Sequence, residues 1–530
     1  MQRLKSINWQ YYLLFLLNTV IIYALMFHKG IILGWDSQFH LNRIEELYRS
    51  LSSGHILASN GSFTFSQIGL AVNKFYPYLF LYPFAIMRGL INPIEAYNIC
   101  LFFLTFISFL LSYKSIDNIV ELRNPVQQAE RTGFLFSLIF NNSGYLLLQF
   151  TQRGDIAEYI ALMLLPMLIM GIANLLWSAA SKRWLLVPIS LSLIAYSHIL
   201  SGVLFTLFTV VILGSNYRQL NKVKVIRLAI SAFIVVVATL PVSLTIIISD
   251  FKNKVITPIV PDTLQNEALK PSDLIINSLN TIVPNALTEV NIGVIVLISA
   301  LISLLSSWNH DRLSRQLGVI GFCSLFISTN LFPWFIFQHT PLHVIQFPWR
   351  FLGIATFCFS YTAAVILQPK IESKGFLISV FLIINLVTFN YIHSVTHNIM
   401  DQTLTYQHIE KYKQTATDAV YTDYMPQQTF SAVNGVANFR NKTDIHRHIA
   451  YVNGHRVKLR NGQIKPGYNR LTYRLTELKP NRLNHVTLPL LNYGNNQSEH
   501  GIITKQTKRG TTSILFKPER NSQTVIIYLN

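Results

Sequence analysis

Apolar runs of the length a bilayer requires recur from residue 9 to residue 394, and they leave few folds open to this chain. Candidate spans fall at 9–28, 94–113, 133–151, 156–178, 184–199, 201–215, 227–248, 291–307, 317–336, 349–368 and 375–394, about eleven in all. The segment at 75–90, FYPYLFLYPFAIMRGL, is shorter, carries Pro77 and Pro83, and is rich in Tyr and Phe. That content predicts a peripheral or re-entrant helix at the interface, not a span. With 51% hydrophobic and 13% charged residues, the chain is too apolar for a soluble multidomain protein and too polar for spans alone. The first apolar run is too long for a signal h-region and has no small-residue cleavage site after it, so it reads as a retained span.

Basic residues set the orientation. With Arg3 and Lys5 inside and 75–90 not spanning, four clusters fall on the inner side: Lys114, Arg123 and Arg131; Lys182 and Arg183; Arg218, Lys222, Lys224 and Arg227; and Arg312 and Arg315. Lys370 and Lys374 join them, whereas a span at 75–90 would turn every one of these loops outward. The expected N-terminus is therefore cytoplasmic and the C-terminus extracellular. This distribution also accounts for the formal charge of +19, which comes with no basic helix or RNA-binding signature and so excludes a nucleic-acid partner. Cys100, Cys323 and Cys358 lie within apolar segments without CxxC spacing and read as core fillers.

Beyond residue 394 the character changes. A polar, Gln- and Thr-rich stretch at 395–448 reads as an extracellular linker, and 449–530 holds short alternating runs such as NRLTYRLTEL, NHVTLPLLNY and TVIIYL, the pattern of a small β-sandwich. The expected fold is a polytopic α-helical membrane protein, residues 1–394, with a first extracellular loop at 28–93 carrying peripheral helices and a small extracytoplasmic β-rich domain at the C-terminus.

The ionisable residues gather at the outer span ends. In GWDSQFHLNRIEELYRSL, a helix capped by Asp36 places Asp36, His40 and Arg43 on one face beside an apolar stripe of Leu41, Ile44, Tyr48 and Leu51. An acid, an imidazole and a guanidinium would then lie over the bilayer, where a lipid-linked phosphate sits, although an interfacial helix with solvated charges meets the same spacing. RGDIAE (Arg153, Asp155, Glu158), His198 in SHILSG, and His339, His343 and Arg350 in HTPLHVIQFPWR fall on the same side. Arg153 and Asp155 read as a turn whose Arg–Asp pair caps the next helix, a reading that for Asp155 stands level with a metal role. Glu158, just inside a span, needs a partner or an ion. His198, beside Ser201 and Gly202 in a tight hairpin, reads as a donor that satisfies backbone carbonyls. Pro341 interrupts the helical spacing of His339 and His343 as zinc ligands, and Arg350 can snorkel or bind phosphate.

GWDSQFHLNRIEEL, the Tyr-Pro-rich stretch, RGDIAE, the His-containing hairpin and QFPWRFL together resemble bacterial membrane proteins labelled 6-pyruvoyl-tetrahydropterin synthase-related, which are similar to membrane-embedded glycosyltransferases of the GT-C fold. YTDYMP at 421–426 and the β-rich tail also resemble YfhO-type proteins. The resemblance implies an essential acid in the first external loop, matched by Asp36, and a second external acid, matched by Asp155 or Glu158. It implies a polyprenyl-phosphate-linked sugar as donor; a divalent cation such as Mg or Mn would fall to Asp155 and Glu158, on the reading of those residues above.

Two classes of function follow. The first is a glycosyltransferase that uses Asp36, Asp155 or Glu158 as base or cation ligand, with His40, Arg43, Arg153, His198, His343 and Arg350 around the substrate and a cell-envelope glycan or teichoic-acid-type acceptor. The second is a transporter or flippase of lipid-linked or polar cargo. A proton-coupled transporter places titratable groups near the bilayer midplane, where this sequence holds chiefly Asn141 and Asn142. A non-catalytic role in envelope assembly shares the same membrane lipids as partners.

Overall fold

The computed structural model describes residues 9–529 apart from 124–126, 179, 257, 259–261, 371–373, 399–401, 420, 431–438, 461, 495 and 500–501, which leaves Arg3 and Lys5 outside it. The chain divides into two compact units.

The first unit, Met1–Ser37, Ile94–Thr239 and Val260–Gln407, is helical. Among the described residues, six helices are long and apolar enough to cross a membrane: Trp9–Lys29, Pro93–Glu121, Ile156–Trp177, Lys222–Ile248, Pro348–Leu367 and Gly375–Asn398. The other expected spans are helical too, but shorter or broken. The run at 133–151 is two helices, Gln127–Asn141 and Gly144–Phe150. The break is chemical: Ser143 turns out of the helix and its Oγ accepts from the Leu146 N–H at 3.3 Å, capping the second piece. The run at 184–199 is a 3₁₀ turn followed by Leu186–Ser197, and that at 317–336 is Arg312–Ile327 followed by 3₁₀ turns. Ile156–Trp177 and Pro348–Leu367 are apolar nearly all round and buried over most of their length, so they form the centre of this unit.

The second unit, Gln38–Pro93, Leu240–Ile259 and His408–Asn530, is assembled from three separated stretches. The 75–90 segment forms a 3₁₀ turn, Leu79–Leu81, that runs into the helix Tyr82–Leu90, together short of spanning length. The C-terminal strands make two antiparallel sheets. One runs in the order His455–Lys458, Ile449–Val452, Asn484–Leu491, Thr511–Phe516, Ile503–Gln506; the other in the order Ile464–Gly467, Arg470–Leu475, Gln523–Tyr528, Gln497–Ser498. Alternating residues such as Val486, Leu488 and Leu490 point into a core shared with Leu471, Tyr473 and Val525. A second core joins Phe65, Val72 and Phe75 to Val255, Met425 and Tyr493. YTDYMP is built into it: the Ile256 N–H donates to the Met425 carbonyl, and the Tyr493 hydroxyl donates to the Tyr424 carbonyl. The 395–448 stretch is thus partly folded, with a helix at Ile409–Thr417.

Candidate active site

Two glycines bring the site together. The Leu33–Asp36 stretch lies against residues 151–153, where the Trp35 N–H donates to the Gln152 carbonyl and the Asp36 N–H to the Arg153 carbonyl at 2.7 Å. A Cβ on Gly34 would sit 2.5 Å from the Arg153 carbonyl carbon. Gly154, at φ +68°, passes so close to Ser37 that a Cβ there would meet its Oγ at 2.0 Å. The glycines of GWDS and RGD therefore allow the close approach that puts Asp36 beside Arg153.

Arg153, 3% exposed, is the hub. It meets Glu158 Oε2 at 2.6 Å through Nη1, Asp155 Oδ2 at 2.9 Å through Nη2 and Asp36 Oδ2 at 3.4 Å through Nε. Nη1 also donates to Gln149 Oε1, and the guanidinium stacks 4.8 Å from the Trp349 ring centre. Burial works against its charge, but Glu158, Asp155 and Asp36 outweigh that and raise its pKa well above the ordinary arginine value. Glu158 is shared: Arg350 Nε lies 3.4 Å from the same Oε2, and the Tyr145 hydroxyl donates to Oε1 at 2.6 Å. Arg350 Nη1 donates to the Ile345 carbonyl and to Gln346 Oε1. Asp155 caps helix Ile156–Trp177, its Oδ1 accepting from the Glu158 N–H at 3.0 Å. His198 caps the helix Ile199–Ser215, with Nδ1 accepting from the Ser201 N–H, so the neutral ring carries its proton on Nε2.

Ligand atoms of Asp155, Glu158 and His198 lie within 4.8 Å of one another, near enough for a divalent cation. The donors themselves are engaged: Glu158 Oε2 meets two guanidiniums, Oε1 holds the Tyr145 hydroxyl, and His198 Nδ1 is taken by Ser201. Asp36 differs from the other two acids, since 42% of its side chain is exposed against 5% and 3% for Asp155 and Glu158.

The structure thus brings Asp36, Arg153, Asp155, Glu158, His198 and Arg350 together, and it adds Tyr145, Gln149 and Trp349. Tyr145 follows the NNSG break in an apolar run, which was its one sequence signal. Trp349, in the QFPWRFL run, carries the Arg153 guanidinium on its ring.

The other expected members correct the picture of an open polar edge. Arg43 is fully buried under Phe39, Tyr76 and Phe80, and donates to Asn73 Oδ1 and to the Tyr76 and Pro77 carbonyls. Its charge thus holds the fold of residues 73–80 and does not face a headgroup plane. His40 is also buried, edge-on to Phe39 and Phe80. His343 lies exposed in the 3₁₀ turn Pro341–Ile345, where Pro341 prevents the helical spacing that His339 would need to join it.

No family model matches the sequence, and no curated protein matches it. Among solved structures, the chain is weakly similar to the apo oligosaccharyltransferase of Archaeoglobus fulgidus, at 11% identity and TM-score 0.43 over 79% of this chain and 61% of that one. ArnT from Cupriavidus metallidurans bound to undecaprenyl phosphate matches at 10% identity and TM-score 0.40, over 77% and 78% of the two chains. The archaeal oligosaccharyltransferase AglB in complex with an inhibitory peptide and a dolichol-phosphate matches at 12% identity and TM-score 0.38, over 79% and 61%. The chain therefore spans less than two thirds of the length of the archaeal enzymes.

Proposed function

We propose that this chain is a multi-pass membrane glycosyltransferase that transfers a sugar from a polyprenyl-phosphate donor to an extracellular cell-envelope glycan or teichoic-acid-type acceptor. The observation that carries the reading is one half-exposed carboxylate, Asp36, held at the rim of a buried network containing two guanidiniums. Asp36 takes the proton of an acceptor hydroxyl; the freed oxygen bonds to the anomeric carbon, and the bond from that carbon to the phosphate oxygen breaks. The electron pair leaves on the lipid phosphate, whose charge is met by Arg153 and Arg350. Asp155 and Glu158 hold those guanidiniums in place and keep them charged, and Tyr145 fixes Glu158. Undecaprenyl phosphate and dolichol-phosphate are the lipids bound in two of the similar structures, and the proposed donor is of that class. A divalent cation at Asp155 and Glu158 would displace Arg153 or Arg350, so the transfer proposed here uses the guanidiniums as its cationic charge. A proton-coupled transporter is less well supported, because the side chains seen bonded between helices away from this network among the described residues include Asn18, Asn142, Asn385 and Thr388, and Tyr23, Thr105 and Tyr159, none of which is a carboxylate or a histidine.

The test is transfer by purified protein with a polyprenyl-phosphate sugar. Asp36→Asn should lower the rate by about 10²- to 10⁴-fold with protein level and melting temperature unchanged, while Lys29→Gln keeps it. Transfer by Asp36→Asn near the parent rate would remove the base assignment. Strict dependence on added Mg or Mn after chelation would move Asp155 and Glu158 from positioning to metal binding.

A further inference from the structure

The helices Ile199–Ser215, Arg312–Ile327 and Leu352–Leu367 border an apolar groove of about 710 Å³, the size of a small-molecule site. Leu204, Phe208, Ile320, Cys323 and Ile354 form its walls. The helix Ile199–Ser215 starts at His198 beside the acid–arginine network, so Ser215 marks the far end of the groove. There the lining changes to Trp308, Arg312, Arg315 and Gln316. Both arginines are exposed, Arg312 touching the chain through the Ser215 carbonyl at 3.1 Å, and among the described lining residues none is acidic. The lining also includes Phe351, whose neighbour Arg350 belongs to the acid–arginine network through Glu158.

An apolar trough ending in two arginines and a tryptophan has the chemistry of a lipid with a negative headgroup. We propose that this groove binds an anionic phospholipid, with acyl chains along Leu204, Phe208 and Cys323 and the phosphate on Arg312 and Arg315. The headgroup then lies in the leaflet opposite the acid–arginine network, the cytoplasmic one in the orientation expected from the basic loops. This site rests on the chain being a membrane protein and not on sugar transfer, so it stands or falls separately from the proposed reaction.

The chain carries its own probe. Cys100 and Cys358 are buried and Cys323 is exposed, so the maleimide-labelling rate of the full-length protein in neutral detergent reports on the groove. Added phosphatidylglycerol should slow labelling, and phosphatidylcholine of the same chain length should not. The Arg312→Gln, Arg315→Gln double variant should need ~30-fold more phosphatidylglycerol for equal protection, and salt should weaken protection in the parent. Equal protection by both phospholipids, or salt-independent protection, would make the groove a general alkyl surface and overturn the proposal. Stronger protection by undecaprenyl phosphate, unchanged in the double variant, would assign the groove to the sugar carrier and overturn it equally.

Discussion

Glu46 shows how a single carboxylate can link this chain's stability to pH. It is buried on the helix Ser37–Ser52 and accepts from the backbone N–H groups of Ser62, Phe63 and Thr64 and from the hydroxyls of Ser62 and Thr64. Burial lifts its pKa from the ordinary 4.5 to about 7, the Thr64 hydroxyl and the N–H groups of Ser62, Phe63 and Thr64 opposing but not cancelling that effect. The folded state therefore binds the proton more tightly than the unfolded chain. The stability this contributes is full below pH 4.5 and is lost as pH rises to about 7, a change of about 3 kcal/mol. Melting temperatures measured across that window should fall for the parent and stay flatter for Glu46→Gln; parallel curves would show that Glu46 stays ionised throughout. The same scale explains which site residues were legible. Asp36, Arg153, Asp155, Glu158 and Arg350 stood out because charges at the edge of an apolar run need partners. Arg43 was misread because helical spacing says which residues share a face but not what covers that face, and here Phe39, Tyr76 and Phe80 cover it. Glu46 gave no signal, since its donors come from a loop whose course only the fold determines.

Among the elements, the long helices were legible because twenty apolar residues have few other places to go, while their breaks depended on single polar side chains. Asn142 sits at one such break and takes part in a clamp: Asn18 Nδ2 donates to Asn385 Oδ1 at 2.6 Å and to Asn142 Oδ1 at 3.3 Å, Asn142 Nδ2 returns a bond to Asn18 at 3.2 Å, and Thr388 donates to Asn142. The clamp joins Trp9–Lys29 to Lys374–Asn398 through the end of Gln127–Asn141. Interhelical bonds of this kind contribute about 0.6–2 kcal/mol each. Asn18→Leu leaves the amides of Asn142 and Asn385 without these bonds, and should lower thermal stability by that order while raising mean hydropathy. A variant as stable as the parent would mean that the asparagines bond equally well to their own helices.

For the whole molecule, the arrangement of the second unit constrains how often the chain crosses the membrane. Its core brings Phe65 from one stretch, Val255 from another and Met425 from a third into one cluster, so all three stretches must lie on the same side of a bilayer. An even number of crossings must then separate residue 93 from Val255, and Val255 from Met425. Counting only the helices of full spanning length gives three in the first interval, Pro93–Glu121, Ile156–Trp177 and Lys222–Ile248, which is odd. At least one shorter helix must therefore cross there, and the expected runs at 94–113, 133–151, 156–178, 184–199, 201–215 and 227–248 make that interval even. The same core argues against 75–90 as a span, since added to those six runs it would make the number of crossings between Phe75 and Val255 odd, and both belong to that core. On the expectation that the basic loops face inward, the second unit lies outside and Lys222 inside. In a chain whose three cysteines are replaced by serine, a cysteine at Lys479 should react with an impermeant maleimide on intact cells, and one at Lys222 only after the cells are opened. Labelling of Lys222→Cys from outside would invert the molecule and place Asp36 in the cytoplasm, where an extracellular acceptor cannot reach it.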